Sequence, residues 1–195
     1  MSGSGGVFRR AGRLVADIRR DEWPLALGFA AHFFLVIAAF WILKPLRTSQ
    51  FLGILGAKNL PWARLTTALL VLPVAAVMAY LSARLPRRRM LLGITVFFGA
   101  GHLLFGVADR LLEPAWVHVP FYFWVDIYVT SSVALFWSHL NERTAPGDAK
   151  RLYGLIGAGG MLGGIAGSSL SGFLATTLGG SNLVLLTAAT TAASV

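Results

Sequence analysis

Long apolar runs separated by short polar punctuation dominate the chain. Residues 24–46, 62–83, 90–108, 116–140 and 152–178 are each nearly free of charge. Each is close to the roughly 20 residues a helix needs to cross a bilayer. They predict five membrane-spanning helices. A sixth run, 182–195, has the same character but reaches the last residue without a charged flank. It is expected to be a truncated span, because a carboxyl terminus inside hydrocarbon leaves a carboxylate and helix carbonyls unsatisfied. Ahead of the first run, Met1–Gly6 is polar and glycine-rich. Val7–Trp23 then places Val7, Ala11, Leu14, Val15 and Ile18 on one side and Arg9, Arg10, Arg13, Arg19 and Arg20 elsewhere. That pattern predicts an amphipathic helix lying among headgroups and attracting anionic lipid. The start is not a cleavable signal peptide: its polar lead is long and acidic in part, and the apolar run after it exceeds a signal core. Residues 1–23 thus read as a cytoplasmic tail with an interfacial helix, and 24–195 as a transmembrane bundle.

The fifth run adds a packing instruction. Arg151–Gly180 carries two adjacent stripes of small residues, Gly159/Gly163/Gly167/Ser171 and Gly160/Gly164/Ser168/Gly172. In a soluble helix each such glycine would cost roughly 1 kcal/mol relative to alanine. In lipid, helices associate through close backbone approach, and small residues at this spacing permit it. The stripes predict a helix pressed against a neighbour. Gly157, Gly159 and Gly163 also come near a dinucleotide-binding fingerprint. That motif needs a preceding strand and a βαβ setting, which the surroundings lack.

Composition sharpens the picture. The chain has 195 residues, 56% hydrophobic and 13% charged, with a mean hydropathy of +0.69. Soluble domains carry about 25% charged residues, so lipid is the expected solvent. There is no cysteine, hence no disulfide framework and no cysteine-ligated metal. A net charge of +9 could point to nucleic acid, but the cations stand in short clusters between apolar runs. The positive-inside rule explains that distribution. With the amino terminus inside, twelve of the 17 lysines and arginines fall on cytoplasmic segments, and Lys44, Arg47, Lys58, Arg64 and Arg110 on the other side. Trp23, Trp41, Trp62, Trp116 and Trp137 fall at expected span ends, where aromatic belts lie. Trp124 lies deep.

No HExxH or GxSxG motif occurs, so nothing in the chain assembles an enzyme, and no cofactor or metal is implied. Ionisable groups inside the spans say more, because each is costly in lipid and tends to face a cavity or a partner. Asp126 is the one acid within the expected spans. Its readings are a cavity-lining charge, a proton site, an ion-pair partner or a structural carboxylate bonded to a neighbouring helix. Lys44 and Arg47, three apart, share a helix face. Pro45 between them lacks a backbone donor and is expected to bend or end the first helix. Side chains lean toward the amino terminus, so both cations tilt inward, toward an anion or Asp126; the alternative is snorkelling to headgroups. His32 and His102, mid-span, read first as hydrogen-bonded packing residues, and Thr130, Ser131 and Ser132 as interhelical contacts. Arg84, Arg87, Arg88 and Arg89 with Pro86 form a basic turn between the second and third spans, an anchor or a gate.

Two stretches carry a resemblance. Phe40-Trp41-Ile42-Leu43-Lys44-Pro45-Leu46-Arg47 resembles the end of the first helix in the nucleotide (ATP/ADP) translocases of plastids and intracellular bacteria. Leu135-Phe136-Trp137, Asn141 and the run Ala149–Gly159 resemble that family's passage from the fourth to the fifth helix. Leu81–Arg88 looks like a worn form of the turn between helices two and three in the major facilitator superfamily, to which these translocases belong. Ala83 and Pro86 replace the usual aspartate and glycine of that turn, and Thr48 stands where an acid often follows the second basic residue. The resemblance implies twelve helices in two six-helix halves with substrate bound between them. This chain would be the amino-terminal half, in the inner or plasma membrane.

The resemblance also implies substrate contact by Lys44, Arg47 and, more approximately, Asp126. Arg84, Arg87 and Arg88 would form the gating turn. Gly159, Gly160, Gly163, Gly164 and Gly167 would serve helix packing. The expected partners are membrane lipid, a carboxy-terminal six-helix half and a small anionic or phosphorylated solute such as a nucleotide, with no nucleic acid. The expected function is alternating-access transport. The rival reading is a membrane anchor or sensor module fused to soluble domains.

Overall fold

The computed structural model describes residues 19–193, without the side chains of Arg87, Pro146, Ala149, Lys150 and Ala193. The expected interfacial helix Val7–Trp23 lies outside the described residues but for its last turn. Among the described residues there are six α-helices, one 3-10 turn and no strand: α1 (Trp23–Leu55), the turn Ala57–Asn59, α2 (Leu60–Arg84), α3 (Arg87–Leu111), α4 (Pro114–Arg143), α5 (Pro146–Leu178) and α6 (Gly180–Ala193). The helices α1 to α5 are long and apolar enough to cross a membrane. Large apolar side chains such as Trp62, Leu72, Leu104, Trp116, Met161 and Phe173 stand exposed on the outside of the bundle. That surface suits lipid.

Helix α1 corrects one expectation. It does not stop near Leu46 but runs through Pro45 to Leu55. The proline removes the N–H that would bond the Trp41 carbonyl four residues back, yet the helix continues past it, and side chains bond two carbonyls nearby. Ser171 Oγ on α5 donates to the Ile42 carbonyl at 3.2 Å, and Thr48 Oγ1 to the Lys44 carbonyl at 2.8 Å. Trp41 is therefore mid-helix. The other helices begin and end within a few residues of their apolar runs, apart from α5, which starts six residues earlier at Pro146. Gly56 and Gly179 end α1 and α5 with φ of 74° and 78°, a conformation costly for any residue with a Cβ.

Helix α1 is the central rod and packs most extensively on α5. The two run parallel in a fixed register. Glu22 pairs with Arg151, and Ile42 with Ser171, both at a sequence separation of 129. Between those anchors, a Cβ on Gly159, Gly163 or Gly167 would run into the backbone of Ala30, Phe34 or Ala38, at the same separation. Backbone here touches backbone, so the first small-residue stripe works along its whole length. The second works over half: Gly160 meets the Phe33 ring and Gly164 the Trp41 indole, whereas Ser168 is exposed and Gly172 faces open space.

Helix α4 runs antiparallel to α1. The stacked Phe33 and Phe136 rings lie at one end of that contact and the Phe51 and Tyr122 rings at the other. Helix α3 packs on α6 and α4, and α2 on α4. Each helix contact, from the large α1–α5 to the slight α2–α3, has a counterpart when α1, α2 and α3 are exchanged for α4, α5 and α6. Thus α1–α5 maps to α4–α2, α1–α6 to α4–α3 and α2–α3 to α5–α6, while α1–α4 and α3–α6 map to themselves. Because α1 and α4 run in opposite directions, this contact pattern is that of two inverted three-helix repeats.

One counterpart pair is unequal. α2 and α4 are also parallel, with Thr67 reaching Asp126 at a separation of 59. Their contact is confined to the start of α2, around Phe51, Ala63 and Tyr122. Beyond it α2 keeps Val71, Val74, Met78 and Leu81 half-buried and only grazes α3.

Candidate functional site

The deepest charged contact joins α1 to α4. Arg47 Nη1 lies 2.6 Å from Asp126 Oδ2 and donates to the Tyr122 carbonyl at 2.8 Å. The Arg47 side chain is 7% exposed and that of Asp126 21%. The guanidinium sits 4.5 Å from the Tyr122 ring centroid, a cation–π contact that gains strength when desolvated. Thr67 Oγ1 on α2 makes a long 3.5 Å contact to the same carboxylate oxygen. Arg47 Nε is buried with no hydrogen-bond partner among the described residues. Three helices therefore converge on one ion pair, and the arginine keeps an unused donor.

Lys44 does not join them. Its ammonium rests 4.2 Å from the Trp41 ring centroid and 5.6 Å from that of Phe40. Trp41 in turn packs on Gly164 and Gly167 of α5. Lys44 is half-buried and has no carboxylate partner among the described residues. The expected cation pair is thus split. Arg47 turns to α4, and Lys44 to the α1–α5 seam.

The basic turn between α2 and α3 is exposed. The Arg84 guanidinium lies 4.2 Å from the Tyr80 ring centroid. Arg88 and Arg89 are exposed, and the Arg87 side chain lies outside the described residues. Of the two mid-span histidines, His32 stacks on Phe136 with ring centroids 5.5 Å apart. His102 is fully buried edge-on to Tyr128, at 4.8 Å. Contrary to the expectation of a hydrogen-bonded packing residue, neither His102 ring nitrogen has a partner among the described residues. Ser131 is buried with its hydroxyl likewise unpartnered, and Thr130 is exposed.

A second polar cluster went unread in the sequence. Helix α3 continues one turn past Ala108, so Asp126 is not alone as a helix-borne acid. Asp109 accepts from Ser181 Oγ of α6 at 2.6 Å and lies 2.6 Å from His118 Nε2 of α4. Arg110 bonds to Asn182 beside it. The signal was present in the apolar pair Leu111-Leu112 beyond Arg110, which lets the helix run on. At the opposite end of the bundle Arg151 bridges Glu22, at 3.2 Å, and Asp148. These two clusters clamp helix ends, whereas Arg47–Asp126 lies within the bundle.

Comparison of the chain with family models, with curated proteins and with solved structures finds no match. The functional reading therefore rests on the bundle and its charges.

Proposed function

We propose that this chain is the amino-terminal half of a secondary transporter of major-facilitator type, similar to the nucleotide translocases, working by alternating access on a small anionic or phosphorylated solute. One observation carries the reading. The helix contacts have the pattern of two inverted three-helix repeats, and the buried Arg47–Asp126 pair sits on the α1–α4 contact that maps onto itself. Inverted repeats with ionisable groups at their junction are a recurring plan of secondary transporters. An intramembrane charge is expensive and marks a functional position by default.

On this reading Asp126 occupies Arg47 when no solute is bound. An incoming anion takes up the free Nε and competes with the carboxylate for the Nη donors. The Lys44 ammonium, held among the described residues by aromatic faces, is the second counter-charge. Rocking against a carboxy-terminal six-helix half would expose the site alternately to each side.

Uptake of labelled nucleotides, sugar phosphates and organic anions into liposomes containing the full-length protein tests this. Uptake of at least one anionic class is expected, lost in Arg47→Ala and reduced in Lys44→Ala. Uptake that survives both Arg47→Ala and the double change Arg47→Ala/Asp126→Asn would reject the assignment.

A further inference from the structure

The inequality between α1–α5 and α4–α2 leaves a groove. Where α1 and α5 stay in contact from Glu22–Arg151 to Ile42–Ser171, α2 separates from α4 after Thr67. The space between the second half of α2, the first half of α3 and the middle of α4 measures about 610 Å³. Its walls are apolar, with Val77, Met78, Phe97, Trp124 and Ile127 among them, and Arg89 closes one end. Arg84 and Arg88, nearby in the sequence, are exposed but do not line the groove. None of the three arginines has a carboxylate partner among the described residues. Gly93 lies in the wall, and a Cβ built on it meets nothing within 4 Å.

We propose that this groove binds one anionic phospholipid, its acyl chain along α2 and α3 and its phosphate at Arg89. The shape favours a chain-like apolar guest. The charge favours an anionic head: each arginine near a membrane surface is worth about 1 kcal/mol toward anionic lipid, and planar guanidinium forks match phosphate oxygens. A second copy of this chain is a poorer occupant, because its surface would have to bring an anion to the same end. The bound lipid would hold α2 at its distance from α4, doing for that unit what glycine contact does for α1–α5. The inference does not depend on which solute the bundle moves.

Native mass spectrometry of the full chain released from detergent reads the occupancy. Phosphatidylglycerol and phosphatidylcholine of equal chain length serve as probes. Phosphatidylglycerol is expected to be retained preferentially at a single site. Arg89→Ala should lower that retention roughly fivefold, the equivalent of one such charge. Gly93→Leu should abolish it by filling the groove, while Gly172→Leu, equally open but distant, should not. Equal retention of the two lipids, or full retention by Gly93→Leu, overturns the proposal. Displacement by millimolar glycerol phosphate also overturns it, because the headgroup alone would then account for binding. A dimer lost in Gly93→Leu without change in lipid retention would assign the groove to a second copy instead.

Discussion

Arg47 and Asp126 meet at 2.6 Å across antiparallel helices, and the arginine spends the same Nη1 nitrogen on the Tyr122 carbonyl. The pair is a commitment of both partners. Removing one from a buried pair leaves an uncompensated charge and costs about 3–5 kcal/mol, whereas replacing both with apolar groups is often neutral. Asp126 is about one-fifth exposed, so the lower end applies. Arg47→Met and Asp126→Leu alone should each lower the thermal midpoint in detergent by several degrees, and the double variant should recover most of the loss. Additive losses in the double variant would mean that the two charges act independently.

The seam between α1 and α5 makes a contrasting prediction within one helix. At Gly163 a Cβ would meet the backbone of Phe34, which cannot swing away, while at Gly172 it meets nothing. Gly163→Ala should destabilise by about 1–3 kcal/mol through overpacking. Gly172→Ala should be neutral or stabilise by up to about 1 kcal/mol, because alanine restricts the unfolded chain and suits a helix. Circular-dichroism melts of the two variants check the sign at each site.

Asp109 anchors the start of α6 by accepting from Ser181 while holding His118 of α4. A buried hydrogen bond to a charged group is worth about 1.5–3 kcal/mol. Asp109→Asn should therefore loosen the first turns of α6. Backbone hydrogen exchange across 181–186 should accelerate, and exchange across the α1–α5 seam should stay unchanged. Equal acceleration in both regions would mean that Asp109 supports the whole bundle.

Much of this fold was legible because bilayer physics restricts what a spanning segment can be. Five apolar runs of the right length became five long helices, and the glycine stripe announced by its four-residue spacing that α5 presses on a neighbour, though not that the neighbour is α1. The helix ends were harder. A charge such as Arg47 or Asp109 ends an apolar run but does not end a helix when a partner across the bundle neutralises it. That is why α1 was expected to be short and why Asp109 with His118 escaped notice. The Arg47–Asp126 contact was one of the open readings, because both groups are costly in lipid and few partners existed. The departure of Lys44 toward Trp41 was not legible, since shared helix face does not fix which neighbour a long side chain chooses. Nor was the α2–α4 groove: it arises from how far two helices stay together, and no residue type marks that.

The orientation of the bundle can be decided cleanly, because the chain has no cysteine of its own and any introduced thiol reports alone. On the positive-inside count the amino terminus and the Arg84–Arg89 turn are expected in the cytoplasm. Lys58, Ala83, Leu112 and Ala145 are exposed positions on the first four of the five short connections or helix ends beside them. In intact cells a membrane-impermeant maleimide should label Lys58→Cys and Leu112→Cys, and should reach Ala83→Cys and Ala145→Cys only after permeabilisation. The opposite pattern would invert the bundle and put the basic turn outside. All four positions labelled from outside would mean that the apolar helices do not span. Because α1 and α5 run parallel and α1 and α4 antiparallel, each pair of thiols must switch together. A mixed result within a pair would contradict the helix directions themselves, not merely their sidedness.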